Sequence, residues 1–219
     1  MMPSSVATSE TPIVIVVDDD DSIRRAFARL LAAAGYVVET FPSAAALLER
    51  EPLDRPACLV LDIRMPGLSG LDLQDLLRST GKERATVFVS AHGDVPSTVR
   101  AMKGGAVDFL TKPVDEALLL AAVHQALERD RLAREDREQL DELRQRLETL
   151  TRREREVCAL VATGRLNKQV AAILGTSEIT VKAHRARVMT KMQVKSFADL
   201  VRVVDRLGLK DPAPFLGGY

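Results

Sequence analysis

Apolar and polar positions along the first half of the chain follow two alternating periods. Five short apolar runs, at 13–17, 37–40, 58–61, 86–89 and 106–110, are mostly rich in β-branched residues and read as buried parallel strands. Between them lie segments of helical period: 23–34 closed by Gly35, 43–50, 71–80 closed by Gly81, and 96–102 closed by Gly104. Five strand–helix units in series predict a doubly wound α/β sheet. From Asp115 to about Leu150 there is neither Gly nor Pro, and Asp130 with Arg134 and Glu142 with Arg146 are acid-before-base pairs four residues apart. One long helix is predicted there. In it Leu140, Leu143, Leu147 and Leu150 repeat at intervals of 3, 4 and 3, which fits either a short seam between two chains or packing on the chain's own domains.

The last segment reads as four helices. Thr151-Arg152-Arg153-Glu154 is a capping box that starts the first, which ends near Gly164; the second runs over 167–174 and stops at Gly175. Ser177 caps a longer third helix reaching about Met192, and a fourth covers 196–207. Gly208, Pro212 and Pro214 end ordered structure, and the tails at 1–10 and 210–219 are expected to be mobile.

The length of 219 residues allows one large or two modest domains, and 46% apolar with 28% charged residues is an ordinary globular balance. No apolar run approaches the roughly 18 to 20 residues of a spanning helix, and the N-terminus has neither a basic start nor an apolar stretch, so no membrane role and a cytoplasmic location are expected. Cys58 and Cys158 lie far apart in apolar contexts and read as two reduced, buried thiols. The zero net charge conceals an asymmetry. Residues 1–126 carry 17 acids and 12 bases, 127–150 carry 8 and 6, and 151–219 carry 6 and 13. A basic C-terminal third behind an acidic N-terminal part marks a domain boundary and a module for a polyanion.

In an open parallel sheet, ligands bind beyond the carboxyl ends of the strands, where strand order reverses. The first strand is followed by Asp18 and Asp19, and the third by Asp62, so three carboxylates are expected to converge there. Their mutual repulsion calls for a hard divalent cation such as Mg²⁺. Ser90 ends the fourth strand and Lys112 follows the fifth, adding a hydroxyl and a fixed positive charge. Carboxylate, metal, hydroxyl and lysine together suit transfer of a phosphoryl group to an aspartate, with Asp62 the best nucleophile.

The stretches Val17-Asp18-Asp19-Asp20, Leu59-Val60-Leu61-Asp62-Ile63-Arg64-Met65-Pro66-Gly67, Ser90-Ala91-His92-Gly93-Asp94 and Asp108-Phe109-Leu110-Thr111-Lys112-Pro113 resemble the receiver domain of two-component response regulators. The resemblance implies a flavodoxin-like receiver over 11–126, with Asp62 accepting a phosphoryl group from a sensor histidine kinase. It implies Asp18 and Asp19 as the acidic pair, and Mg²⁺ held by Asp19, Asp62 and the backbone carbonyl of Arg64, whose side chain is incidental. Ser90 and Phe109 would be the switch pair, and Lys112 the phosphate partner. Ser90 stands where Thr is commoner, and Phe109 lacks the hydroxyl of the frequent Tyr. Phosphorylation adds about −1.5 to −2 charge. Ser90 would then bond a phosphoryl oxygen and draw its loop inward, Phe109 would turn into the vacated room, and the face around the fourth helix and fifth strand would dimerise.

The short second helix and the capped third helix, separated by Gly175-Thr176, have the form of a helix-turn-helix. The capped helix carries Thr180, Lys182, Ala183, His184, Arg185 and Arg187 for DNA, with Ser177 at its cap, while Ile179, Val181, Val188 and Met192 are expected to face the core. Leu150-Thr151-Arg152-Arg153-Glu154-Arg155-Glu156-Val157, Asn167-Lys168-Gln169-Val170-Ala171 and Ile179-Thr180-Val181-Lys182-Ala183-His184-Arg185 resemble the four-helix LuxR-type DNA-binding domain in its FixJ-like branch. The resemblance covers 150–209 and leaves 127–149 as a helical linker.

Together these resemblances imply a phosphorylation-dependent transcriptional regulator, an activator recruiting RNA polymerase, that binds double-stranded promoter DNA as a homodimer at half-sites about one helical turn, ~10 bp, apart. It is not a turnover enzyme beyond taking up the phosphoryl group and slowly losing it. Inhibition before phosphorylation by masking of the recognition helix, or by lack of pairing, both remain open. Two rival readings are a constitutive DNA binder whose receiver only dimerises, and an aspartyl-phosphate phosphatase resembling the haloacid dehalogenases. The latter leaves Asp62 and the basic C-terminal segment unexplained.

Overall fold

The computed structural model describes residues 11–51, 55–91 and 93–209. The two tails and His92 of the fourth-strand motif lie outside the described residues. The chain divides between Arg134 and Glu135 into two compact units.

The first unit runs β1 (Ile13–Val17), α1 (Asp21–Ala33), β2 (Val37–Phe41), α2 (Ala44–Leu48), β3 (Ala57–Asp62), α3 (Gly70–Ser79), β4 (Ala85–Ser90), α4 (Val95–Lys103), β5 (Asp108–Thr111) and the first part of α5 (Glu116–Glu148). The sheet order is β2-β1-β3-β4-β5, parallel at every pairing, which is the doubly wound flavodoxin-like order. Every residue of β1 and β3 is buried, because helices cover both faces, and this explains their unbroken apolar runs. Alternate residues serve opposite layers. Ile13, Ile15, Val17, Leu59, Leu61 and Phe88 pack with Leu71 and Leu73 of α3 and Ala101 of α4. Val14, Val16, Val60, Val87 and Val89 pack with Leu31 of α1 and with Leu119, Ala122, Val123, Ala126 and Leu127 of α5. One turn further along α5, the buried Asp130 carboxylate accepts the Ala57 N–H at 3.0 Å and faces Arg84 Nη1 at 3.5 Å.

The fifth strand begins later than the apolar pattern predicts. Ala106 N–H donates to the Ala101 carbonyl, closing the turn that ends α4, so Ala106 is buried without being strand. Val107 N–H reaches the Thr86 carbonyl at 2.7 Å just before the ladder starts.

The second unit combines the end of α5 with α6 (Arg152–Ala162), α7 (Asn167–Leu174), α8 (Glu178–Lys191) and α9 (Phe197–Arg206). Its core contains Leu150, Val157, Leu160, Val161, Val170, Val181, Val188, Met192, Leu200 and Val204. The predicted capping box is formed, with Thr151 Oγ1 accepting from Glu154 N–H at 3.3 Å and Glu154 Oε2 from Thr151 N–H at 2.9 Å. Lys191 Nζ donates to the same Glu154 oxygen at 2.6 Å and to the Thr149 carbonyl at 3.0 Å. These bonds overcome burial and hold the Glu154 carboxyl below its usual range. Of the leucine repeat, Leu150 belongs to this core and Leu147 packs against it, and Leu143 is buried as well. Arg206 of α9 adds hydrogen bonds to Asp136 at 2.5 Å and Gln139 at 3.2 Å on α5.

Candidate functional site

The strand tips bring Asp18, Asp62 and Lys112 together. Val17 pairs with Leu61 in the β1–β3 register, so the next residue of each strand, Asp18 and Asp62, emerges at the same level. Lys112 Nζ lies 2.6 Å from Asp18 Oδ2 and 2.7 Å from Asp62 Oδ1, with both carboxylates buried. Each second carboxylate oxygen is held by main chain: Asp18 Oδ1 accepts Asp20 N–H at 2.9 Å, and Asp62 Oδ2 accepts Arg64 N–H at 2.6 Å. Arg24 Nη1 donates to the Asp18 carbonyl at 2.6 Å, bracing the loop that carries the acids. Asp20 caps α1 through its side chain, which leaves Asp19, exposed, as the outward member of the run. The third expected carboxylate is thus not drawn into the cluster: among the described residues, no group of three His, Cys, Asp or Glu side chains is placed to hold a metal.

Burial raises the Asp62 pKa above the ordinary carboxylate value; the neighbouring Asp18 adds to the rise, and Lys112 opposes it. For Lys112, burial works against the ammonium, but the hydrogen bonds it donates to the two aspartates outweigh it and raise its pKa. One cation between two buried anions leaves this site with an uncompensated negative charge. With Asp19 at its rim, the excess becomes two, which matches a divalent oxygen-seeking ion. In charge and in hard oxygen donors these residues suit Mg²⁺, while the three carboxylates are not gathered around one point in this arrangement.

Ser90 is buried at the tip of β4 opposite Thr111, and its carbonyl accepts Lys112 N–H at 2.8 Å. Phe109 is partly buried against the sheet core. A Cβ at Gly93 would lie 2.8 Å from Thr111 Cγ2 and 3.7 Å from Phe109 Cε1, so the loop after β4 rests directly on β5 side chains. Composition did not single out Gly70, the first residue of α3. A Cβ there would stand 2.2 Å from the Asp62 carbonyl oxygen.

In the second unit, Gly175 takes the left-handed conformation, φ 61°, that closes α7, and Ser177 Oγ accepts Thr180 N–H at 3.1 Å to start α8. Gln169 Oε1 accepts Leu166 N–H at 2.9 Å at the start of α7. Thr180, Lys182, Ala183 and Arg187 are exposed on α8, and His184 is half-buried with its Nδ1 inside and without a partner. Arg185 points its guanidinium elsewhere: it sits 4.8 Å from the Phe197 ring centroid and donates to Asn167 Oδ1 at 3.3 Å. Val181, Val188 and Met192 are buried as expected, whereas Ile179 is 81% exposed, reversing its predicted orientation. The first turn of α8 projects beyond the core that Val181 enters, so an apolar type at 179 has no interior to fill.

Residues 14–124 match the response regulator receiver domain, and residues 148–204 match the bacterial regulatory proteins of the luxR family. Nodulation protein W of Bradyrhizobium diazoefficiens is 50% identical over 92% of this chain and 88% of its own. The transcriptional regulatory protein FixJ of Azorhizobium caulinodans is 44% identical over 83% and 86%. The chain is a FixJ-like response regulator. Among solved structures, the response regulator StyR matches with a TM-score of 0.77 and 47% identity over 90% of this chain and all of that one. Full-length FixJ from B. japonicum matches with a TM-score of 0.54 and 36% identity over 91% and 98%.

In this regulator the receiver match spans Asp18, Asp62, Ser90, Phe109 and Lys112, and the luxR match spans the helix-turn-helix from Asn167 through α8. Both cysteines are buried free thiols. Burial raises the Cys158 pKa to about 11, and burial with the nearby Asp130 charge pushes Cys58 up further still, so neither offers a thiolate near neutral pH. No helix among the described residues is long and apolar enough to cross a membrane.

Proposed function

We propose that this response regulator takes up a phosphoryl group on Asp62 from a sensor histidine kinase in the cytoplasm and, once phosphorylated, binds promoter DNA as a homodimer and recruits RNA polymerase. The observation that carries the reading is the single Lys112 ammonium shared by two buried carboxylates at the carboxyl tips of β1 and β3. Asp62 attacks the phosphorus of the donor, the bond to the donor's leaving atom breaks, and an acyl phosphate forms. Asp19, Asp62 and the Arg64 carbonyl would hold Mg²⁺, which when bound neutralises phosphoryl oxygens. Lys112 supplies a second cation to the same oxygens, and the Ser90 hydroxyl a hydrogen bond.

Phe109, beside the loop carrying Gly93, follows Ser90 inward, and the α4–β5 face is altered. Val95, Val99 and Met102, three to four residues apart and exposed on α4, favour that face as the dimer contact. In the output domain, Ser177, Thr180, Lys182, Ala183, His184 and Arg187 form the DNA-facing set. Arg185 acts as a positioning residue, tying α8 to Asn167 and Phe197. Domain limits of 11–126, 127–149 and 150–209 complete the reading.

The test is incubation of the full chain with acetyl phosphate and Mg²⁺. One hydroxylamine-sensitive, alkali-labile phosphoryl per chain, abolished by Asp62→Asn and accompanied by a dimer in sedimentation and tighter promoter binding, is expected. Multiple turnovers on phosphate esters would support a phosphatase instead. Promoter affinity indifferent to phosphorylation would leave a constitutive binder.

A further inference from the structure

We infer that α8 reads thymine methyl groups through an exposed apolar strip, Ile179, Ala183 and Ala186, and that Ile179 is a specificity-determining residue. The inference rests on DNA binding by the luxR-type domain and goes beyond it by naming the chemical group read. The three positions are four and three residues apart and so share one side of the helix. All three are exposed, while Val181, Val188 and Met192 enter the core from the other side. Ile179 is the most exposed large apolar side chain among the described residues, and it shares its side of the helix with the exposed Ala183 and Ala186.

Charge decides the kind of partner. At about 100° per residue, Lys182 lies about 100° to one side of Ala183 and about 40° from Ala186, and Arg187 lies about 40° to the other side of Ala183, so cations border the strip. Both are exposed, and residues 151–219 carry 13 bases against 6 acids. Glu178 is the single acid of α8 and lies about 100° away from Ile179. An apolar strip between two cationic edges matches a major groove, whose walls are phosphates and whose floor carries the thymine C5-methyl as its one apolar group. The cap at Ser177 fixes the first turn, so Ile179 is presented on ordered backbone rather than on a fraying end.

The experiment uses the full-length chain phosphorylated with acetyl phosphate. Duplexes are selected from a random pool by wild type and by Ile179→Ala, and each thymine of the selected sequence is then replaced singly by deoxyuridine, which removes only the methyl. Wild type is expected to lose about fourfold in affinity at one or more thymines per half-site, the value of one buried methyl-sized group. Ile179→Ala is expected to bind thymine and uracil duplexes alike at that position, with an unchanged salt slope and an unchanged circular dichroism spectrum, and Ile179→Val to retain most of the discrimination. Equal uracil sensitivity in wild type and Ile179→Ala overturns the inference, as does insensitivity in both. So does an Ile179→Ala chain whose only change is self-association without DNA. If wild type shows no salt-dependent affinity for any duplex, the DNA reading beneath the inference falls, an outcome distinct from those three.

Discussion

Replacing Gly70 with alanine places a single methyl group against the main chain of the proposed phosphoryl acceptor. Built on the present backbone, the new Cβ would lie 2.2 Å from the Asp62 carbonyl oxygen, 3.1 Å from its carbonyl carbon and 3.3 Å from Ile63 Cα. None of these atoms is a flexible side-chain end, so the start of α3 and the end of β3 must separate by about 1 Å to reach an ordinary contact. That movement pulls on the Gly70 N–H bond to the Ile63 carbonyl, now 3.1 Å, and carries the Asp62 carboxylate away from Lys112 Nζ. Overpacking of this size costs about 1–3 kcal/mol. Alanine's better helix propensity returns less than about 1 kcal/mol at a first-turn position, leaving a net loss of about 1–2 kcal/mol. The effect on chemistry should be larger, because a reacting group displaced by about 1 Å loses roughly a hundredfold in rate. Urea unfolding followed by circular dichroism measures the first, and the rate of labelling by acetyl phosphate at saturating Mg²⁺ measures the second. A Gly70→Ala chain with an unaltered midpoint and a labelling rate within about twofold of wild type would refute the steric reasoning.

Lys112→Met leaves two buried carboxylates without their shared cation, a loss of up to about 3–5 kcal/mol that protonation of one acid will partly relieve. Because the folded Asp62 pKa is raised above its unfolded value, its contribution is fully present below the unfolded pKa and lost as pH rises through the folded one. In Lys112→Met that fall should deepen and move to higher pH in urea midpoints taken from pH 4 to 8, and a profile parallel to wild type would count against the shared-cation assignment. Asp130→Ala removes the acceptor of the buried Ala57 N–H; a loss of about 1–3 kcal/mol is expected, with faster hydrogen exchange at that amide. Unchanged protection of Ala57 would show that another acceptor takes over.

The chemistry at the strand tips was legible because each residue is chained to a strand end. An apolar run locates the strand, parallel order then fixes which end is the ligand side, and Asp18, Asp62, Ser90 and Lys112 follow from position alone. What escaped has long-range causes. Asp130 serves a main-chain amide 73 residues earlier, and nothing near it in sequence distinguishes it from the other acids of α5. Gly70 matters through a contact with another element, whereas a turn glycine announces itself by its neighbours. On α8 the periodic signal is weak because alanine, threonine and short apolar residues alternate with cations, so type was a poor guide to side. Ile179 was assigned to the core because it is apolar, yet it faces solvent, and the place of Arg185 over the Phe197 ring is a contact with another helix that no local pattern announces.

Lys112 also explains how a charge change on Asp62 can reach β4 and β5 without a large motion. Its ammonium is divided between Asp18 and Asp62, and its main-chain N–H is bonded to the carbonyl of Ser90. On the proposed reading, acyl phosphate formation removes the Asp62 carboxylate charge and moves about −1.5 to −2 outward onto phosphoryl oxygens. The ammonium then has a stronger partner beyond its present one, while Asp18 keeps its grip from the other side. Because the Lys112 N–H holds Ser90, a shift of that side chain and a new bond from the Ser90 hydroxyl act on one pair of strand tips. Phe109 lies on β5, three residues before Lys112 and against the Gly93 loop, so on this reading it would register the rearrangement at that loop. On that reading a half-buried cation with two anionic partners of unequal strength would be the element that switches: phosphorylation would bias it by changing the charge of one partner, and the packing around Phe109 would read the result.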